Sequence, residues 1–306
     1  MNIIRGLEDT AALPKKTAVA IGNFDGVHLG HQKILETLIF ESEKYGLVSV
    51  ALTFSPHPKK VVGKDPIKMI QSLGQRLKII EQFHVHTVLI LPFNKELANH
   101  TAEDFIQNLV LDPMKAEEVI VGKNFCFGRN RSGCSKTLCD LGEKNDFRVL
   151  IIPPVTVGGT TVSSSLIRRL LCEGNLEKAN SLLGRPYEIE GTVIEGKRRG
   201  KSLGFPTANI RTDNEIIPRG VFLSRTIVEG RDFPSMTNVG KCPTFDQSTT
   251  NVESYLLNFD SDIYGKIIQV RFLKKIRTEQ KFDSTQDLSR QIKKDLRLAN
   301  EFFNLS

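Results

Sequence analysis

Ala18-Val-Ala-Ile-Gly-Asn-Phe-Asp-Gly-Val-His-Leu-Gly-His-Gln-Lys-Ile-Leu35 is the stretch whose reading decides the fold of the first half of this chain. Ala18 to Ile21 is a short apolar run without helical spacing, which predicts a buried strand. Gly22, Gly26 and Gly30 break it at points where a backbone can approach a ligand closely or take positive φ. From His31 the pattern turns amphipathic, with Ile34, Leu35, Leu38 and Ile39 on one helical face. A strand, a glycine turn and a helix N-terminus together hold phosphate, because free N–H groups and the helix dipole face the anion. His28 and His31 stand three residues apart at that mouth, a spacing that puts both on one side of a helical turn.

Two other readings of the histidines compete. A zinc pair lacks a third ligand at suitable spacing, and the cysteines lie far off in sequence. Two structural histidines are the ordinary alternative, and the surrounding glycines favour a phosphate site over it. The stretch is neither the GxGxxG dinucleotide fingerprint nor a P-loop, since no Gly-Lys-Ser/Thr follows. A His-x-Gly-His element at the first strand–helix turn resembles the nucleotidyltransferase superfamily, whose members attack the α-phosphate of ATP and release pyrophosphate. In the fuller form Gly22-Asn-Phe-Asp-Gly-Val-His-Leu-Gly-His31 it is similar to the adenylyltransferase half of prokaryotic riboflavin kinase/FAD synthetases.

Composition bounds the rest. A chain of 306 residues accommodates one large domain or two ordinary ones. No run approaches the roughly 18 apolar residues of a membrane helix, and Met1 to Asp9 holds no apolar core of signal-peptide length. Five cysteines, odd in number and without a C-x-x-C pair, favour reduced thiols in a cytoplasm. The formal charge of +7 is spread along the sequence without interleaved aromatics. That pattern suits a locally positive cleft for polyphosphates better than a nucleic-acid surface.

Along the chain, Val48–Phe54 reads as a second buried strand ending in Ser55-Pro-His-Pro58, a loop on the ligand side of a doubly wound sheet. There His57 is either a ligand contact or a plain loop histidine. A helix over 73–83, a strand over 86–91, a capping box at Thr101-Ala-Glu-Asp104, a strand over 118–121, a helix through Leu138 and Leu141 and a strand over 147–152 follow. Strands alternating with helices predict βαβ units and a parallel sheet over residues 1–183. Val162-Ser-Ser-Ser-Leu-Ile-Arg168 joins a good N-cap to a guanidinium one turn on, which suits a second phosphate cradle. It resembles the Ser-Ser-Thr-x-x-Arg element late in nucleotidyltransferase domains, with Ser165 in place of the threonine.

From Leu182-Leu-Gly-Arg-Pro-Tyr187 the texture changes to short strands at 187–194, 220–228, 235–239, 252–258 and 266–273, separated by Gly, Asn and Asp turns. This predicts a small antiparallel barrel, closed by an amphipathic helix over 286–303 carrying Leu288, Ile292, Leu296 and Phe302. Within it, Gly196-Lys-Arg-Arg-Gly-Lys-Ser-Leu-Gly-Phe-Pro-Thr-Ala-Asn209 places three glycines, Gly196, Gly200 and Gly204, and four basic residues in one loop. It ends in a hydroxyl and an amide two apart, which share a strand face and suit Mg²⁺ or polyphosphate. Gly-Phe-Pro-Thr-Ala-Asn is similar to riboflavin kinase, the other half of the same bifunctional family.

What that resemblance implies can be stated residue by residue. The first half is a Rossmann-like nucleotidyltransferase domain and the second, residues 184–306, a riboflavin kinase-like barrel. Riboflavin and ATP give FMN and ADP in the barrel; FMN and ATP then give FAD and pyrophosphate in the first domain. His28 and His31 bind phosphates and stabilise developing charge. Gly22, Phe24, Asp25 and Gly26 shape the nucleotide pocket, Asn124 helps bind substrates, and Ser164, Ser165 and Arg168 hold ATP. In the kinase, Thr207 and Asn209 bind Mg²⁺ and phosphate, Glu253 is the base, and Arg277 matches an arginine near the flavin. Partners are riboflavin, FMN, FAD and ATP, with weak self-association, no nucleic acid and no membrane. Departures from the family pattern are Lys201 and Cys242 for arginines, Tyr255 for His, Asn258 for Asp and Phe222 for Tyr; Cys126 and Cys134 stand where polar residues are commoner. The rivals are an enzyme with one working half, a class I tRNA-synthetase-like protein and a flavin-binding regulator without turnover.

Overall fold

The structure is a computed structural model and describes residues 1–13, 16–63, 65, 67–196, 204–241 and 250–305. The chain divides into two compact units, Met1–Ser164 and Ser165–Ser306.

The first unit is built on a parallel sheet of β1 (Asn2–Arg5), β2 (Thr17–Ile21), β3 (Val48–Ser55), β4 (Thr87–Pro92), β5 (Ala116–Gly122) and β6 (Arg148–Ile152). Their order is β1-β4-β3-β2-β5-β6, every neighbouring pair parallel. Alternate residues of a strand face opposite sides, and each side is covered by helices. Ala18, Ala20, Ala51 and Val88 pack beneath α1 (Leu29–Tyr45) and α2 (Leu73–Glu81), through Leu35, Leu38, Leu77 and Ile80. Val19, Ile21, Val50 and Leu89 pack on the other side against Phe105, Leu109 and Leu138, the last from α3 (Ser135–Asn145). The four central strands β2 to β5 are buried on both faces and read as near-continuous apolar runs, as parallel strands do, while the edge strands β1 and β6 are more exposed.

Two local expectations change. Thr101 does cap a helix, its Oγ1 accepting from Asp104 N at 3.0 Å. Asp104 is too short for the reciprocal bond, and its carboxylate accepts from the Thr101 hydroxyl at 2.8 Å. Pro58 does not keep its segment irregular: it opens the short helix Pro58–Val62, since a missing N–H costs nothing in a first turn. His57 caps that helix, Nδ1 accepting from Lys59 N at 3.1 Å.

Opposite the ligand edge of the sheet, Glu118 of β5 is fully buried and pairs in register with Arg148 of β6, whose Nε lies 3.4 Å from Oε1. Burial pushes the Glu118 carboxyl above its ordinary value of 4.5, with Arg148 opposing. A raised folded-state value means that the contribution of Glu118 to stability is complete below about 4.5 and lost as pH rises through the folded value. Glu118→Gln is therefore expected to gain thermal stability relative to wild type between pH 5 and pH 8, read from melting curves at both; a constant difference would refute the account.

The second unit begins with α4 (Ser164–Glu173, from Ser165 on) and α5 (Leu176–Leu183). A closed antiparallel barrel follows: β7 (Tyr187–Ile194), β8 (Ala208–Thr212), β9 (Gly220–Val228), β10 (Arg231–Lys241), β11 (Thr250–Leu256) and β12 (Ile267–Arg277), in the order β7-β8-β11-β10-β9-β12. Tyr187, Phe222 and Phe272 fill part of it, with ring centroids 5.1 Å apart for the phenylalanine pair. β7 and β9 keep the bounds their alternation predicts and β11 keeps its length, shifted by two residues, while β10 and β12 run longer than predicted, paired along both edges in the closed barrel. A second core layer is polar. Ser224, Thr226, Ser235, Thr237 and Ser254 are fully buried and bond one another at 2.7–3.1 Å, so every hydroxyl has a partner.

The terminal helix α6 (Thr285–Phe303) covers Leu223, Met236 and Leu257 through Leu296, Ala299 and Phe303. Asp295 anchors it: Oδ2 accepts from Arg277 Nε at 2.9 Å and Nη2 at 2.8 Å, and Oδ1 from Gln291 Nε2 at 2.9 Å. Asp295→Asn keeps the volume but loses the charge, and is expected to cost roughly 2 kcal/mol, the scale of a hydrogen bond to a charged group. Urea unfolding would register this; an unchanged midpoint would show the pair to be idle.

Candidate functional site

In this sheet the chain steps from β2 to β3 on one side and returns to β5 on the other, so the β2/β5 boundary is the topological switch point where α/β sheets bind ligands. The turn after β2 carries the histidines and the turn after β5 carries Asn124, exposed beside it.

The β2 turn is held by its own burial. Gly22 N–H is donated to Leu52 O at 3.1 Å, and the Phe24 ring lies over Gly22, where a Cβ would stand 3.1 Å from Cζ. Phe24 (φ 47°) and Val27 (φ 35°) are fully buried in a conformation that L-residues avoid, so packing sustains strained backbone here. Asp25, itself buried, accepts from Ile70 N through both carboxylate oxygens (3.1 and 3.2 Å) and from Gln71 N at 3.3 Å. Ser164 Oγ donates to Asp25 O at 2.9 Å, so two motifs 139 residues apart meet.

Helix α1 starts at Leu29, two residues earlier than its apolar pattern predicts, because His28 itself is the N-cap. His28 Nδ1 accepts from His31 N at 3.3 Å, which leaves the proton of its neutral ring on Nε2. The His28 and His31 rings stack with centroids 3.6 Å apart, and His31 meets the Phe24 ring at 5.4 Å. Gly30 makes room, since a Cβ there would lie 3.2 Å from His28 Cε1. The histidines thus sit as a ring pair on the first N–H groups of a helix, an arrangement that binds anions.

Two residues went unassigned in the sequence. Arg76 of α2 is 4% exposed and donates through Nη1 to Asn23 O at 2.6 Å. Burial lowers its affinity for the proton, with Asp25 opposing. Arg76 Nε and Asn23 Oδ1 are buried and lack hydrogen-bond partners among the described residues. Asn23 stood inside the opening motif; Arg76 had no signal, because helical periodicity marks apolar burial only.

Ser165 is exposed and Arg168 half-buried on α4, the helix that Ser164 heads.

In the barrel, sheet register does the assembling. Asn209 of β8 directly opposes Glu253 of β11, and Glu253 directly opposes Asn238 of β10, so the three side chains form a row on one face. Glu253 Oε1 accepts from Asn251 Nδ2 at 2.9 Å. Asn209 also opposes Ile194, and its amide lies over Gly196, where any Cβ would overlap it. Thr207 is half-buried two residues before Asn209, and Gly204 turns at φ 84°. Gly200, like Lys201 and Cys242, lies outside the described residues. The Glu279 carboxylate lies over Gly240 in the same way, bringing a second acid to β10 that strand alternation did not reveal. Arg277 is committed to Asp295 and, through Nη1, to Thr278 O at 3.1 Å.

Comparison with known proteins matches each half of the chain to a family. A family model described as FAD synthetase matches residues 10–166, and one described as riboflavin kinase matches residues 183–303. The chain is 35% identical to the bifunctional riboflavin kinase/FMN adenylyltransferase of Escherichia coli K12, over all of this chain and 99% of that one. It is also 35% identical to the protein of that name from Bacillus subtilis 168, over 94% and 93% of the two chains. A crystal structure described as a macrolide-efflux protein from Streptococcus pneumoniae superposes with TM-score 0.88 at 29% identity, covering 98% of this chain and 99% of that one.

Proposed function

The chain belongs to the bifunctional riboflavin kinase/FMN adenylyltransferase family, and we propose on that premise that it makes FMN from riboflavin and FAD from FMN at two separate centres. The observation that carries the second reaction is the stacked His28–His31 pair on the N-terminus of α1 at the sheet's switch point. The FMN phosphate oxygen attacks the α-phosphate of ATP, the new P–O bond forms as the bond to the β-phosphate oxygen breaks, and pyrophosphate leaves. His28 Nε2–H and the α1 N–H groups stabilise charge growing on the phosphates, without a covalent enzyme intermediate. Asp25 acts by holding the turn to Ile70 and Gln71; Gly22, Phe24 and Gly26 shape the pocket, and Asn124, Ser164, Ser165 and Arg168 hold substrate. On this reading the first half runs to residue 183 and takes in α4 by its Ser163–Arg168 motif, although the second compact unit begins at Ser165 and α5 bonds the barrel, Asn180 Nδ2 donating to Phe272 O at 2.9 Å.

In the barrel, Glu253 accepts the proton of the riboflavin 5′-hydroxyl as that oxygen attacks the γ-phosphate of ATP and ADP leaves. Thr207, Asn209 and Glu253 offer a hydroxyl, an amide and a carboxylate, oxygen donors of the hard kind that Mg²⁺ takes. Thr207 and Asn209 would hold the ion, which when bound neutralises charge on the ATP phosphates. No helix among the described residues is long and apolar enough to cross a membrane, and both family models fit an enzyme rather than an efflux role.

Incubating the pure protein with riboflavin, ATP and Mg²⁺ and resolving flavins by chromatography tests the whole reading. FMN followed by FAD is expected. FMN alone, or FAD only from supplied FMN, would mean that a single half works, and unaltered riboflavin and FMN would overturn both.

A further inference from the structure

Between β5 and α3 the chain forms a two-residue antiparallel ribbon, Cys126–Phe127 against Gly133–Cys134. Cys126 directly opposes Cys134, and Phe127 opposes Gly133. Phe127 is buried with its ring over Gly133, where a Cβ would come within 2.8 Å of Cζ. Alternation sends both cysteine side chains to the other face, where Cys126 is half-buried and Cys134 exposed, both as free thiols. Cys134 N–H is donated to Thr137 Oγ1 at 3.3 Å, as suits the kind of opposed pair that exchanges no ladder bonds. Cα atoms in such pairs approach to about 4.5 Å, inside the ~4.4–6.8 Å that a disulfide spans.

We propose that Cys126 and Cys134 are a site of reversible oxidation, forming a disulfide with a hydroperoxide as the oxidant and closing the hairpin that follows Asn124. Cys134 is the attacking sulfur. It caps α3, and bonds from the Thr137 N–H and hydroxyl and the Lys136 N–H hold its thiol below the usual range. The thiolate attacks the peroxide O–O bond, giving a sulfenic acid and releasing hydroxide or alkoxide, which takes up a proton. The Cys126 sulfur then attacks the sulfenic sulfur, the S–S bond forms and water leaves. Two thiols are oxidised, one peroxide is reduced, and a dithiol reverses the bond by exchange. The bond withdraws Cys134 from the α3 cap and Cys126 from Asn124 O, to which its S–H is donated at 3.7 Å. The consequence for activity rests on the reading of Asn124 as a substrate contact in adenylyl transfer.

The test treats the full chain with hydrogen peroxide, blocks free thiols in denaturant, and maps disulfide-linked peptides, with both activities assayed in parallel. Thiols are expected to fall from the five of the sequence to three, with a peptide joining Cys126 to Cys134 that dithiothreitol cleaves. Adenylyl transfer is expected to drop about tenfold, because shifting a positioning group by about 1 Å can cost up to ~100-fold, while FMN formation holds steady. Cys126→Ser and Cys134→Ser should each abolish the response. Retention of both thiols, a bond to another cysteine or an intermolecular link would overturn the site. A Cys126–Cys134 bond without change in adenylyl transfer would support the site and instead sink the role of Asn124, which Asn124→Ala checks separately.

Discussion

His28→Ala is expected to abolish FAD formation from supplied FMN while leaving FMN formation from riboflavin at its wild-type rate. The imidazole does two things at once in this structure. It caps α1, with Nδ1 accepting from His31 N, and its ring stacks on His31 at the helix N-terminus, where Nε2–H is the donor proposed for the phosphates. Alanine removes both, at a cost of about 1 kcal/mol in stability for the lost cap and about 10²–10³ in rate for a lost charge-stabilising donor. His28→Asn separates them. Asparagine is a good N-cap and should restore the melting temperature, but its amide is shorter than the ring and should leave adenylyl transfer down by a similar factor. An asparagine variant that adenylylates FMN at the wild-type rate would reduce His28 to a cap. Loss of kinase activity in a folded alanine variant would sink the two-centre proposal.

Glu253→Gln is expected to remove the opposite activity. Glutamine preserves size and can still bond Asn251, whose Nδ2 lies 2.9 Å from the native carboxylate, but it cannot accept the riboflavin hydroxyl proton. General-base removal costs about 10²–10⁴ in rate, so riboflavin should accumulate while supplied FMN is still converted to FAD. Asn209→Ala should behave alike, because Asn209 stands directly opposite Glu253 across β8 and β11. Gly196→Ala offers a check at a distance in sequence: its new methyl would overlap the Asn209 amide and should depress the kinase without touching any acid or base. Wild-type kinase rates in all three variants would refute the barrel site.

How much was legible in the sequence varies with the physics behind each feature. Strand runs in the first half were plain because both faces of a parallel sheet are buried, and Val19 and Ala20 point into different apolar layers. Edges of barrel strands were less so: β10 was expected over 235–239 and runs over Arg231–Lys241, since main-chain pairing at its ends leaves no side-chain pattern. The start of α1 was misplaced by two residues because histidine is not among the usual capping residues, and only the geometry shows His28 Nδ1 in that role. The meaning of Arg277 also shifted. Its motif placed it near a flavin, and its guanidinium is bound to Asp295 on a helix that begins eight residues later.

By itself the sequence determined the two-part architecture, the phosphate-binding turn and the identity of nearly every candidate residue, because these follow from local periodicity, glycine placement and contiguous motifs. Only the tertiary structure decided which of them act together. Ser164 meets Asp25, Arg76 is buried against Asn23, Asn209 and Glu253 stand in one row, and Cys126 faces Cys134. Those are contacts between residues separated along the chain, set by strand order and register, and neither is encoded in the spacing of any one motif.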